Sequence, residues 1–150
     1  LGDVYKRQIS VQAFFDDLQR LYPSPLFHFT TPSGLTFLAD RTQMEQIFIN
    51  LLKNASEACS HTPDPHVEIS AQTTKEGIVL TVSDNGEGML PEVTERIFVP
   101  FFTTKPSGSG IGLSLCKQII TLHDGRIQVQ SQPGKGSKFT IILPQNNLPS

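Results

Sequence analysis

The sequence predicts an α/β fold, because helical and strand patterns alternate along the chain and the strand patterns come in pairs. The clearest helical pattern follows Asp40, where apolar residues recur every three or four positions as far as about Cys59. Residues 67–83 and 126–143 instead alternate apolar and polar side chains around a central turn signal. We therefore expect at least one long amphipathic helix and two β-hairpins.

Size and composition restrict the class of protein. A chain of 150 residues has the usual size of one domain. Its 12 basic and 14 acidic groups leave a net charge of -2, which argues against an electrostatic nucleic-acid binder. No apolar run approaches the roughly 20 residues of a membrane helix, so we expect no membrane contact by this chain. Cys59 and Cys116 fall in helical apolar patterns and are expected to be buried, reduced thiols, which fits a cytoplasmic setting.

The domain is expected to span residues 9–145. Residues 1–8 lack an amphipathic continuation and are interpreted as a cloning or sequencing remnant, and residues 146–150 as a frayed tail. Asp40 is expected to cap the long helix, with Gln43 three residues later. The patterns predict helices over residues 11–21, 40–59, 91–97 and 111–123, and strands over residues 26–30, 35–39, 67–73, 78–83, 126–131 and 137–143.

The long helix carries two asparagines, Asn50 and Asn54, beside its apolar stripe. Residues four apart lie on the same face of a helix, so the two amides are neighbours. An amide oxygen is a suitable ligand for Mg2+, which takes few protein ligands and fills its other positions with phosphates and water. A solvated polar helix edge explains the pair equally well.

Asp84, Gly86 and Gly88 follow directly on the second predicted strand of the first hairpin. Such residues are common in an ordinary turn at the end of a strand. Alternatively, a carboxylate at the end of a rigid strand accepts a hydrogen bond from an adenine amino group, and the glycines let backbone approach the base. This segment alone does not decide between the two interpretations.

Two further segments precede the helix predicted at residues 111–123. Phe98 and Phe101 form an aromatic cluster that either only pins a loop to the core or also has a functional role. Lys105 could place its ammonium on a phosphate. Next come glycines on alternate residues, whose backbone N–H groups and following helix N-terminus are typical of a polyphosphate cradle. The spacing differs from a dinucleotide fingerprint and from a Walker loop. The glycines are Gly108, Gly110 and Gly112.

Taken in order, these four segments resemble the N box, the first G box, the F box and the second G box of histidine kinases. The wider superfamily includes gyrase, heat-shock chaperone and mismatch-repair ATPases. The likeness covers about residues 11–143, including the segment from Gly134 to Gly136, and departs mildly at Asp124, where the family usually has glycine. It implies a two-layer α/β sandwich, the Bergerat ATP-binding fold, with one mixed sheet and helices on a single face.

The resemblance also implies roles for individual residues in binding ATP and Mg2+. Asn54 would coordinate Mg2+, Asn50 would support the metal and phosphate site, and Lys53 would meet the phosphates. Asp84 would recognise adenine, in a pocket shaped by Gly86 and Gly88. The ATP lid would be formed by Lys105, Gly108, Ser109, Gly110, Gly112 and Leu113.

The resemblance further separates phosphoryl transfer from hydrolysis. Gyrase-like and chaperone-like members have a glutamate, four residues before the metal-binding asparagine, that activates water; here that position is Asn50, which is no general base. The expected mechanism is therefore transfer to a histidine, with Asn50, Asn54 and Lys105 as the catalytic residues. That histidine would lie on an upstream dimerisation and phosphoacceptor module, with a response regulator downstream and a parent protein that is in some cases anchored in the inner membrane.

Two alternatives share this fold. One is a serine kinase of the anti-sigma-factor type, against which the long segment between the F box and the second G box speaks. The other is a catalytically silent nucleotide-binding or docking module. The presence of Asn54, Asp84 and Lys105 speaks against it.

Overall fold

The computed structural model describes residues 3–102 and 112–145. Within these residues the chain forms seven strands and four helices. The strands are β1 Arg7–Ser10, β2 Phe27–Thr30, β3 Thr36–Ala39, β4 Val67–Thr74, β5 Gly77–Asp84, β6 Arg126–Gln132 and β7 Gly136–Leu143. The helices are α1 Val11–Leu21, α2 Arg41–Ala58, α3 Pro91–Thr94 and α4 Gly112–Leu122.

Five strands form the main sheet, in the order β2-β4-β5-β7-β6. β2 and β4 are parallel, and the other neighbouring pairs are antiparallel, so the sheet is mixed. Both predicted hairpins are present, β4 with β5 and β6 with β7. One face of the sheet is apolar and buried under the helices, whereas the other presents mainly polar side chains, as alternation along a strand dictates. The predicted two-layer α/β sandwich is confirmed.

The core lies between the sheet and the helices α1, α2 and α4. The ring of Phe14 in α1 meets the rings of Phe37 and Phe48 edge-on, at centroid distances of 5.8 and 5.4 Å. Such edge-to-face contacts add to the free energy gained by apolar burial. The stripe predicted on the long helix is buried as expected: Met44, Ile47, Phe48, Leu51, Leu52 and Ala55.

The interpretation of residues 1–8 as lying outside the fold is wrong for Arg7 and Gln8. Both belong to β1, which pairs with β3 in a separate two-stranded antiparallel sheet. The sequence pattern gave no sign of this strand, because only Ile9 of its four residues points into the core. β2 and β3, though consecutive, therefore join different sheets: backbone pairing with distant strands decides their place.

The predicted helix limits differ from the structure by a few residues. α3 ends at Thr94, although the pattern predicted a helix as far as residue 97. α4 ends at Leu122, one residue before the predicted end, and Gly112 is its first described residue. The predicted tail at residues 146–150 lies outside the described residues. Among the helices within residues 3–102 and 112–145, none is both long and apolar enough to cross a membrane.

Replacement of Ile9 by alanine tests whether β1 is an integral part of the domain. The Ile9 side chain is 2% exposed and joins the core. Ile9→Ala should lower the free energy of unfolding by about 2–4 kcal/mol, because it removes buried methyl groups and leaves a cavity. Denaturant titration measures this loss. Gln8→Ala, on the exposed side of the same strand, should change stability by less than about 0.5 kcal/mol; equal, small effects would show that β1 is peripheral.

Candidate functional site

The two asparagines lie on α2, a helix whose start is well defined. Asp40 adopts an extended backbone and its side chain accepts a hydrogen bond from the Gln43 N–H at 3.1 Å, which makes Asp40 the predicted N-cap. Asn50 and Asn54 are both half-buried, between the buried stripe and solvent, and Lys53 is exposed. The predicted placement of the amide pair beside the apolar stripe is therefore confirmed.

Asn50 contacts the first half of α4. Its Nδ2 atom donates to the Sγ atom of Cys116 at 4.0 Å, and that thiol donates to the Ile47 carbonyl at 3.9 Å. A Cβ placed on Gly112 would lie 3.5 Å from the Asn50 Oδ1 atom. Burial raises the pKa of the Cys116 thiol to about 12, so the thiol stays protonated. The described first half of α4 therefore lies against Asn50.

Asp84 is the last residue of β5 and is almost fully buried, with 8% of its surface exposed. Its Oδ1 atom accepts two backbone hydrogen bonds, from the N–H of Gly86 at 2.9 Å and from the N–H of Ser137 at 3.3 Å. Within the described part of the chain, these two groups are the only donors to the carboxylate. The Oδ1 atom is thus held by the fold, whereas Oδ2 is left for another partner.

The environment of Asp84 opposes its charge. Burial raises the pKa of the carboxyl group above its ordinary value, and the nearby charge of Glu87 adds to this effect. The hydrogen bonds from Gly86 and Ser137 lower the pKa and offset part of the increase. A buried carboxylate with a raised pKa, one oxygen of which has no donor among residues 3–102 and 112–145, is a candidate ligand-binding group.

The segment after Asp84 is pressed between α2 and the β6–β7 turn. A Cβ on Gly86 would collide with the Ala58 carbonyl at the end of α2, and a Cβ on Gly88 would collide with the Gln132 carbonyl. The N–H of Glu87 donates to the same Ala58 carbonyl at 2.9 Å. Close approach to backbone of α2 and of the β6–β7 turn therefore requires both glycines. The predicted approach of this segment to adenine stays a prediction.

Asn85 fixes the same segment from the other side. Its Oδ1 atom accepts from the His66 N–H at 2.7 Å, and its Nδ2 atom donates to the Asp64 carbonyl at 3.0 Å. The Cys59 thiol donates to the same Oδ1 at 3.7 Å. These bonds tie the end of β5 to the loop before β4 and keep Asp84 in place.

The two phenylalanines of the predicted aromatic cluster, Phe98 and Phe101, lie in different environments. Phe98 packs edge-on against Phe139 of β7, at a centroid distance of 6.4 Å, and the Lys117 ammonium lies 5.7 Å from its ring centre. Phe98 therefore pins its loop to the sheet. Phe101 is 74% exposed and has a positive φ of 66°.

Some predicted site residues lie outside the described residues: Lys105, Gly108, Ser109 and Gly110. Of the others, Gly112 is the first described residue of α4, and Leu113 is half-buried against the core. The sequence predicted no role for Ser137, although its N–H donates to the Asp84 carboxylate. It also predicted none for Gly136, where an added Cβ would collide with the Asp84 carbonyl. The glycines at positions 134 and 136 were the available signal.

The fold is a two-layer α/β sandwich with a buried carboxylate at the end of a central strand. A family model described as the histidine kinase-, DNA gyrase B- and HSP90-like ATPases matches residues 39–147. The chain belongs to this family.

Similar proteins narrow the likeness to sensor histidine kinases. The C4-dicarboxylate transport sensor protein DctB of Rhizobium meliloti (strain 1021) is 41% identical over 112 residues, 75% of this chain but 18% of that protein. The catalytic domain of histidine kinase ThkA is 30% identical with a TM-score of 0.82, over 94% of this chain and 96% of that domain. A structure of ThkA in complex with response regulator protein TrrA is 26% identical with a TM-score of 0.78, over 95% of this chain and 42% of that one.

Alanine substitutions at two site glycines should have different effects. Gly86→Ala places a methyl group against the Ala58 backbone, and relief of that clash should cost about 1–3 kcal/mol of stability. Gly112→Ala meets Asn50 at ordinary contact distance and should change stability by less than about 1 kcal/mol. Thermal unfolding of both variants measures the difference. Equal losses would mean that the segment after Asp84 is not packed as described.

Replacement of Asp84 by asparagine should alter the pH dependence of stability. The carboxyl pKa is raised above its ordinary value of 3.8, so the stability associated with the protonated form is lost as pH rises through the folded-state pKa. Asp84→Asn keeps an oxygen for both backbone donors and removes the charge. The variant should therefore be more stable than the parent near pH 7, with a gap that narrows towards pH 3. A variant less stable than the parent at pH 7 would contradict the assigned pKa direction.

Proposed function

We propose that this chain binds ATP with Mg2+ and transfers the γ-phosphoryl group to a histidine on a separate dimerisation and phosphoacceptor module. The observation that carries this proposal is the Asp84 carboxylate, fixed at the end of β5 by two backbone donors. DctB, which is 41% identical to this chain, is a sensor protein, and the chain spans 18% of its length. The transfer activity of the whole protein is therefore inferred from this likeness.

Adenine recognition follows from the arrangement around Asp84. The Oδ2 atom would accept a hydrogen bond from the exocyclic amino group of adenine, while Oδ1 remains engaged with the Gly86 and Ser137 N–H groups. A hydrogen bond to an ionised group contributes more than one between neutral groups. Because two backbone hydrogen bonds already hold the carboxylate in place, its orientation costs little further free energy when the base binds.

The phosphates and the metal would lie along α2. Asn54 is proposed as the Mg2+ ligand, Asn50 as support for the metal and phosphate site, and Lys53 as a cation near the phosphates. Half-buried amides on one helix face suit an ion that takes one or two protein ligands and otherwise binds phosphate oxygens and water. When bound, Mg2+ would neutralise charge on the transferred group.

The contacts of Asn50 support transfer rather than hydrolysis. Its Nδ2 atom points to the Cys116 thiol, which is protonated because burial raises its pKa to about 12. A neutral amide held by a neutral thiol cannot take a proton from water. The nucleophile would therefore be supplied by another module, with Lys105 and the glycines at positions 108, 110 and 112 as further phosphate-binding groups. A response regulator as the downstream partner is proposed from the likeness to the ThkA–TrrA complex.

Calorimetric titration with a non-hydrolysable ATP analogue, with and without Mg2+, tests nucleotide and metal binding together. Mg2+ should tighten binding to the parent chain by at least about tenfold, or about 1.4 kcal/mol. Asn54→Ala should abolish this Mg2+ effect. Gln46→Ala removes an exposed amide from the same helix and should leave the effect intact. No nucleotide binding by the parent chain would refute the proposal, and an unchanged Mg2+ effect in Asn54→Ala would remove Asn54 from the metal site.

Phosphoryl transfer needs a separate assay with the acceptor supplied. The chain is mixed with a separately produced histidine-bearing helical hairpin and labelled ATP, and the label is then tested for stability in acid. Acid-labile label on the hairpin is expected. Acid-stable label on a serine would favour the serine kinase, and ATP binding with no label on either class of acceptor would favour the silent nucleotide-binding module.

A further inference from the structure

Asp40 connects three parts of the molecule at one corner. Its Oδ1 atom caps α2 through the Gln43 N–H, and its Oδ2 atom accepts from the Tyr5 N–H at 3.0 Å. Its own backbone N–H donates to the Nε2 atom of His123 at 3.0 Å. Asp40, which is 8% exposed, is therefore bonded to the residues before β1, to the start of α2 and to the end of α4.

His123 has a defined tautomer at this corner. It is 2% exposed, and its Nδ1 atom lies 2.9 Å from the Ile119 carbonyl, which can only accept. Nδ1 must therefore carry the proton, and Nε2 is the acceptor for the Asp40 N–H. Both ring nitrogens are satisfied in the neutral imidazole, so the side chain is a fixed link between α4 and the start of α2.

The helices α2 and α4 are joined at two places. At one end the His123 ring bonds Asp40, and at the other Cys116 bonds Asn50, where a Cβ on Gly112 would also lie within 3.5 Å. The order of these contacts makes the helices antiparallel. At a rise of about 1.5 Å per residue, the two contact points are about 15 Å apart on α2, and on α4 His123 lies about 10 Å from Cys116 and about 17 Å from Gly112. A shift of α4 that breaks the His123–Asp40 hydrogen bond must therefore also move Cys116 past Asn50.

We propose that the hydrogen bond between Asp40 and His123 sets the register of α4 against α2. His123 and Asp40 are then positioning residues for the nucleotide site, and act through Asn50 and the start of α4. This inference rests on the proposed function. Neither residue is part of the four motifs that the sequence placed at the site.

Two substitutions of His123 separate its hydrogen bonds. His123→Gln keeps an acceptor near the Nε2 position, whereas His123→Asn keeps only a donor near the Nδ1 position. The asparagine variant should bind the ATP analogue at least about fivefold more weakly than the parent, and the glutamine variant should remain close to the parent. Hydrogen exchange without nucleotide should also accelerate at the Cys116 and Lys117 amides in the asparagine variant alone, since these amides bond to the first turn of α4.

A control for stability is Ile69→Val, in the buried face of β4 away from the corner. It removes one buried methyl group and should lower stability by about 1 kcal/mol without a change in nucleotide affinity. If Ile69→Val weakens binding as much as His123→Asn, the effect is a loss of stability and the proposal is overturned. Equal affinity and equal exchange in the parent and both His123 variants also overturn it. If the parent binds no nucleotide, the proposed function fails, and the exchange data alone decide the register.

Discussion

The buried carboxylate of Asp84 is the constraint on which the site depends. A desolvated charge is costly unless it is hydrogen-bonded, and here two backbone N–H groups from different parts of the chain supply the bonds. One comes from the segment after β5 and the other from the start of β7. The carboxylate can therefore keep its place only if the β6–β7 hairpin and the β5 segment are in register, which the pairing of Asp84 with Ser137 provides.

The same register explains the glycines around the site. Gly136 allows the β6–β7 turn to pass against the Asp84 carbonyl, and Gly86 allows the β5 segment to pass against the end of α2. The carboxylate, the sheet and the asparagine-bearing helix are thereby fixed relative to one another by backbone contact. α4 is added to this frame through Asn50 at one end and His123 at the other. Rigid elements of this kind favour a preorganised binding site.

Much of this arrangement could be predicted from the sequence. The apolar period of α2, its Asp40 cap and the two hairpins are local patterns, and each was found where expected. The short strand β1 was missed because one buried residue in four makes no pattern. The support of Asp84 by Ser137 was missed for a different reason: backbone donors carry no side-chain signature, so only three-dimensional pairing reveals them.

The most direct test of the Asp84 assignment compares ATP with purine riboside triphosphate, which lacks the adenine amino group, on the parent chain and on Asp84→Asn. Loss of the amino group should weaken binding to the parent by about 1.5–3 kcal/mol, or roughly ten- to a hundredfold. The variant should bind both nucleotides with similar affinity. If the parent binds both nucleotides equally well, Asp84 does not recognise adenine and the account of the site is wrong.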